Sequence, residues 1–153
     1  MSYMQSNQQL ITKLAGEISK VIKGKSAAVT MILTALLSEG HILVEDVPGV
    51  GKTTLAMALG KATGLAFRRA QFTPDVMASD ITGFTMYNKE ENRFEYRSGL
   101  AMTNILLADE INRTSPKVQS ALLEAMEERQ VSVDGSTYPM ADPFMVMATQ
   151  NPI

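Results

Sequence analysis

The stretch HILVEDVPGVGKTTLAMALG, residues 41–60, joins an apolar strand-like run to an apolar helix-like run through a turn of glycine and proline. Pro48, Gly49, Val50 and Gly51 stand directly before Lys52, Thr53 and Thr54, the G-K-[ST] ending of a phosphate-binding loop. Glycine lets consecutive N–H groups point inward, and such donors at a helix N-terminus form a concave cradle for a polyphosphate. In that cradle the Lys52 ammonium reaches the β and γ phosphates and the Thr53 hydroxyl ligates Mg²⁺. Asp46 departs from the general pattern, whose first position is glycine. Taken by itself, the segment could also be an ordinary glycine turn between strand and helix.

A second segment gives the loop a partner. NILLADE, residues 104–110, ends a continuous apolar run with two carboxylates, at the strand end where ligands bind in open α/β sheets. Asp109 can hold Mg²⁺ through its water shell, and Glu110 can orient and deprotonate the water that attacks a γ-phosphate. An acidic residue ending a strand is otherwise often a helix N-cap. A third segment, FMVMATQN, closes with Thr149, Gln150 and Asn151. If its strand lies between the loop strand and the acidic strand, Asn151 stands close to the attacking water and senses hydrolysis. As a plain structural residue Asn151 would instead make a turn before Pro152.

Composition bounds the rest. With 153 residues, 45% hydrophobic content and a net charge of −2, the chain suffices for one cored domain. It contains no cysteine and a single histidine, His41, so thiolate and histidine-rich metal centres are excluded and any metal is held by oxygen. The polar start MSYMQSNQQL lacks the apolar core of a signal peptide, and no apolar stretch is long enough to span a bilayer, so a cytoplasmic location is expected. The slightly acidic balance argues against a general electrostatic grip on nucleic acid.

Helical spacing of Leu10, Ile11, Leu14, Ile18, Val21 and Ile22 marks an amphipathic helix from Gln9 to Val21. Ser26 is a candidate cap for a second helix, Ala27 to Leu37, ended by Ser38-Glu39-Gly40. Strands are expected over His41 to Val47, Ala66 to Gln71, Asn104 to Asp109 and Phe144 to Thr149. Lys52 to Thr63, Ser115 to Arg129 and Pro74 to Ile81 are the candidate helical connections, which gives a layered α/β fold with a parallel sheet. In Ser115 to Arg129 the apolar face is Val118, Leu122, Leu123 and Met126. Two short hairpins are expected, Phe84 to Tyr87 with Phe94 to Arg97, and Val131 to Val133 with Ser136 to Tyr138 around Asp134-Gly135. The 11 methionines read as core filling. Arg113 reads as a surface salt bridge or as a residue serving a neighbouring subunit's site.

Four segments together, EDVPGVGKTTLA, FTPDVMASDITGF, LLADEINRTSPKVQSALLEAMEERQVSVDG and MATQNP, resemble the MoxR family of AAA+ ATPases, and the likeness covers the chain from Gly24 onward. The resemblance implies an α/β/α P-loop NTPase of AAA+ type, with Lys52 and Thr53 in Walker A, Asp109 and Glu110 in Walker B, and Asn151 as sensor 1. It implies ATP as the nucleotide and a ring, usually a hexamer. It also implies chaperone-like remodelling or metal-cofactor maturation of client proteins, with von Willebrand factor A domain proteins as partners. The two hairpins resemble the helix-2 insert and the pre-sensor-1 hairpin of this branch.

Lys25 stands where members often carry Gln near the adenine, and RSGLAMTN replaces a more usual proline-containing, aromatic run. Ile153 follows directly on sensor 1, so residues 1–153 are expected to be an incomplete large subdomain without arginine finger, fifth core strand or helical lid. Such a chain is expected to expose an apolar sheet edge at His41 to Val47, to self-associate and to turn over ATP near background. The rival readings are an AAA+ nucleic-acid motor or a nucleotide-gated transcription regulator, against which the hairpin tips NKEEN and VDGST are acidic or neutral. A non-catalytic nucleotide-binding scaffold is disfavoured by Glu110, and a GTPase by the missing aspartate after Asn88-Lys89.

Overall fold

Alternation explains why ILLAD and MVMATQ, apolar at almost every position, are strands. Ile105, Leu107, Met145 and Met147 belong to one apolar cluster, while Leu106, Ala108, Val146 and Phe144 belong to another on the opposite face. Successive side chains of a strand point to opposite faces, so a strand covered on both sides must be apolar throughout. In the computed structural model, which describes residues 2–45 and 51–150, these two strands form the middle of a sheet with helices on both sides.

The elements run α1 (Ser2–Val21), α2 (Ser26–Leu37), β1 (Ile42–Glu45), α3 (Lys52–Thr63), β2 (Phe67–Gln71), α4 (Ala78–Thr82), β3 (Gly83–Asn88) and β4 (Arg93–Ser98). There follow β5 (Ile105–Asp109), a 3-10 turn (Ile111–Arg113), α5 (Pro116–Glu128), β6 (Gln130–Val133), β7 (Ser136–Pro139) and β8 (Met145–Gln150). The main sheet is four-stranded and parallel in the order β1-β8-β5-β2. The strand that carries Thr149, β8, therefore lies between the loop strand and the acidic strand, the condition on which the reading of Asn151 depends. Cluster residues from α1, α2 and α3, among them Ile18, Val29, Ile32 and Leu59, cover one face. Ile81 of α4 and Val118, Leu122 and Ala125 of α5 cover the other. The two hairpins, β3–β4 and β6–β7, are separate antiparallel ribbons. Asp134 and Gly135 both have positive φ, 50° and 78°, the backbone that a two-residue hairpin loop requires.

Several expectations shift. The first helix begins at Ser2, well before Gln9, because nothing in the polar leading segment breaks it. Its apolar stripe is only partly used, with Ile18 buried and Leu10 and Ile11 exposed. Ser26 is not a cap but the first residue of α2; Lys25 takes the cap position, its carbonyl accepting from the Val29 N–H at 3.1 Å. The segment from Pro74 yields only the short α4, since Val76 N–H turns back onto the Thr73 carbonyl and Asp80 accepts from the Met77 N–H at 2.8 Å to start the helix late. On α5 the buried face is Val118, Leu122 and Ala125; Leu123 is 60% exposed, one position round the helix from the buried stripe. Met145 and Met147 are core residues as expected, but Met31, Met57, Met77 and Met86 are exposed.

The hairpins are fastened to each other and to the body. Tyr96 of β4 and Tyr138 of β7 stack with centroids 3.8 Å apart and 11° between planes, and the Tyr96 hydroxyl donates to the Thr82 carbonyl at 2.5 Å. Farther along the same face of β3–β4, toward its turn, Phe94 is 73% exposed and packs edge-to-face on Tyr87.

Candidate active site at the C-terminal ends of the parallel strands

Parallel pairing brings the ends of β1, β8, β5 and β2 to one edge of the sheet, with Glu45, Gln150, Asp109 and Gln71 as their last residues. The Gln150 amide donates to the Glu45 carboxylate, tying the ends of β8 and β1 together. Beyond Glu45, residues Asp46, Val47, Pro48, Gly49 and Val50 lie outside the described residues, as does Asn151 beyond Gln150. Gly51 is described; it caps α3 with φ of 77°, a left-handed conformation that glycine adopts at no steric cost. Lys52 opens α3, with Thr53 half-buried and Thr54 exposed on its first turn. The loop strand ends at Glu45 and a helix begins at Lys52, and the first N–H groups of a helix, which have no partner within it, favour an anion.

Asp109 is buried at the end of β5 and both of its carboxylate oxygens have partners. Arg69 of β2 donates from Nε to Oδ2 at 2.7 Å, and the Thr149 hydroxyl donates to Oδ1 at 3.3 Å. The same hydroxyl accepts the peptide N–H of Glu110 at 3.1 Å. Thr149 therefore bridges the two acidic residues. Glu110 itself has a left-handed backbone, φ 56° and ψ 46°, uncommon for a side-chain-bearing residue and of the kind that collects at functional sites. Its carboxylate accepts from Arg113 Nη1 at 2.7 Å, three residues on. Of the two readings of Arg113, the salt bridge is the one present, and its partner is the residue expected to act as base.

Beside these strand ends lies an open cavity of about 540 Å³, lined mainly by apolar side chains. Lys25, Ile32, Val44, Leu55 and Thr149 are among the residues that line it. Its size and lining suit a planar organic group.

Sequence reading found the carboxylates and the threonine, but not Arg69. An arginine on a short strand carries no motif, and only the β2–β5 pairing, with Gln71 opposite Asp109, puts it on the same face as that carboxylate.

Residues 41–153 match the ATPase family associated with various cellular activities (AAA). The chain is 56% identical over its full length to the uncharacterized protein YeaC of Bacillus subtilis, of which it covers 48%. It is 50% identical over 137 residues to chaperone MoxR1 of Mycobacterium tuberculosis, covering 90% of this chain and 36% of that one. A solved structure from Cytophaga hutchinsonii, assigned as a candidate ATPase, superposes with a TM-score of 0.79 at 40% identity, over all of this chain and 48% of the other. The chain thus spans about half, or less, of the length of these relatives. The parallel sheet with flanking helices agrees with the solved structure, and with the family match it shows that the chain belongs to the AAA family of ATPases, on the branch that includes the MoxR proteins.

Proposed function

We propose that this chain binds ATP with Mg²⁺ and hydrolyses it to ADP and phosphate. The observation that carries the reading is the Asp109–Thr149–Glu110 cluster, with Thr149 on the strand next to the one that leads toward Gly51 and Lys52 and Asp109 one strand farther. Pro48, Gly49, Val50, Gly51, Lys52, Thr53 and Thr54 would form the phosphate cradle, with the Lys52 ammonium on the terminal phosphates, and the cavity beside Lys25 would take the base. Asp109 and the Thr53 hydroxyl suit Mg²⁺, being hard oxygen donors. Among the described residues no cluster of three or more acidic or histidine side chains forms a complete cage, which is the usual case for a cation shared with phosphates and water. Bound there, Mg²⁺ would neutralise phosphate charge. Glu110 would take the proton of the attacking water, which requires its carboxylate to exchange Arg113 for that water, and Asn151 would contact the γ-phosphate side of the site.

Residues 1–153 would serve as the nucleotide-binding large subdomain of a ring, a hexamer in the branch it resembles. Turnover would drive remodelling of protein clients or maturation of their metal cofactors, with von Willebrand factor A domain proteins as partners. Among the described residues no helix is long and apolar enough to cross a membrane, and the proposed setting is the cytoplasm.

Calorimetric titration with ATP tests the site. Binding is expected to require Mg²⁺ and to fall at least about tenfold in Lys52→Ala, the order expected for a charge-assisted phosphate contact. Equal affinity in Lys52→Ala, or none at all in the parent protein, overturns the assignment. Retention of a client by Glu110→Gln held with ATP tests the coupling.

A further inference from the structure

The pairing of Arg69 with Asp109 is unequal. The carboxylate is almost enclosed, its side chain 12% exposed, whereas the guanidinium side chain is 52% exposed. Arg69 reaches in from β2, the edge strand of the sheet, and donates through Nε at 2.7 Å. The other carboxylate oxygen is held by the Thr149 hydroxyl. Without the guanidinium, Asp109 would be a buried negative charge with a hydroxyl as its described side-chain partner, a costly state that a cation from solution would relieve. Arg69 has the opposite freedom. Half in water already, it can withdraw at little desolvation cost.

A divalent cation using Asp109 must displace the guanidinium or share the carboxylate with it, and the two positive charges repel at such range. A triphosphate changes the balance by bringing its own negative charge to the site. We propose that Arg69 is a positioning residue for the ATPase site: it holds and neutralises the Asp109 carboxylate while the nucleotide is absent, so that the divalent cation enters with the triphosphate and not before it. This rests on the assignment of Asp109 to a cation-binding role. The blander role for the pair is to pin edge strand β2. That strand already pairs with β5 along Phe67–Gln71, and Phe72 directly after it is fully buried, with its N–H donating to the Asp109 carbonyl at 2.8 Å.

The two roles separate on free-metal binding. Mn²⁺ binding to purified, nucleotide-free protein would be followed by electron paramagnetic resonance in the parent, Arg69→Met, Arg69→Gln and Arg69→Lys. Both neutral variants are expected to bind free Mn²⁺ at least about tenfold more tightly than the parent, and Arg69→Lys to stay within about threefold of it, because removing an adjacent positive charge favours a second cation at the same carboxylate. A strand-pinning role alone would lower the melting temperature of the neutral variants and leave Mn²⁺ affinity unchanged or weaker. That outcome, with Mg²⁺-dependent ATP binding intact in the parent, overturns this inference and leaves the ATPase assignment standing. Absence of Mg²⁺-dependent ATP binding in the parent overturns both.

Discussion

The peptide N–H of Glu110 is bonded to the hydroxyl of Thr149 at 3.1 Å, so the backbone leaving β5 is fastened by a side chain at the end of β8. Since that hydroxyl also donates to Asp109 Oδ1, one oxygen atom sets the relative placement of both carboxylate-bearing residues. Thr149→Val keeps the shape and removes both bonds. It is expected to cost about 1–2 kcal/mol of stability, the scale for leaving a buried N–H unpaired, and, in a protein of its relatives' length that carries this sequence, to lower ATP turnover by about 10- to 100-fold, as loosened support of a reacting group does. Thr149→Ser is expected to retain most activity. Chemical unfolding and phosphate-release rates measure the two effects, and a fully active Thr149→Val would remove Thr149 from the mechanism.

Stacking of Tyr96 on Tyr138 joins two ribbons that share no ladder of hydrogen bonds. A double-mutant cycle with Tyr96→Leu and Tyr138→Leu is expected to give a coupling of about 0.5–1.5 kcal/mol, the range for aromatic pairs beyond their buried area. Urea unfolding of the four proteins supplies the number. Strict additivity would show that the ribbons are held independently.

His41 links three elements. Its Nδ1 accepts the Val146 N–H at 2.9 Å and its ring packs edge-on against Phe144. Burial holds its pKa below the ordinary value; the hydrogen bond with the Met126 backbone opposes that shift, and the nearby Arg129 charge adds to it. The unfolded chain therefore binds the proton more readily than the folded one, and stability rises with pH through this window. The contribution of neutral His41 is fully present above about pH 6.5 and is lost as pH falls through the lower folded value. Melting curves between pH 5 and 8 are expected to show this loss, and His41→Asn, which has no proton to gain, should show a shallower slope. Parallel slopes for the two proteins would assign the pH effect to other groups.

Strand β1 is an edge of the four-stranded sheet, and Leu43 on it is exposed between the 540 Å³ cavity and a second, apolar groove of about 320 Å³ shared with α5. An apolar strand edge invites pairing with another chain. Light scattering is expected to show apparent mass rising with concentration for the purified chain, and Leu43→Lys to suppress the rise. A constant monomer mass in the parent would show that the edge is quiet.

The parts legible in the sequence were those set by local chemistry. The continuous apolar runs of β5 and β8, the glycine that starts α3 and the Asp134-Gly135 turn each need only their neighbours to be read. What escaped depended on distance in the chain or on position around a helix. Arg69 finds Asp109 through sheet pairing, Leu123 sits just off the buried stripe of α5, and Ser26 lost the cap position because the Lys25 carbonyl was already inside the helical ladder. The pairing of Glu110 with Arg113 is local, yet a salt bridge was only one of two readings open for that arginine, and its partner was not foreseen.

Strand β8 is entered directly from the β6–β7 ribbon through residues 140–144, and that entry is clamped: Asn104 donates its amide to the Pro143 carbonyl at 2.8 Å and accepts at its own carbonyl from the Met145 N–H at 2.8 Å. From there the strand continues to Thr149, paired first with β5 from Met145 to Ala148 and then with β1 from Met147 onward. A pull applied to the ribbon has little slack to take up, so load reaches the oxygen that aligns the two carboxylates along a strand segment about 13 Å long from Met145 to Thr149, at 3.2–3.4 Å per residue. The geometry couples the end of the sheet that carries Asp109 and Glu110 to whatever grips the β6–β7 ribbon.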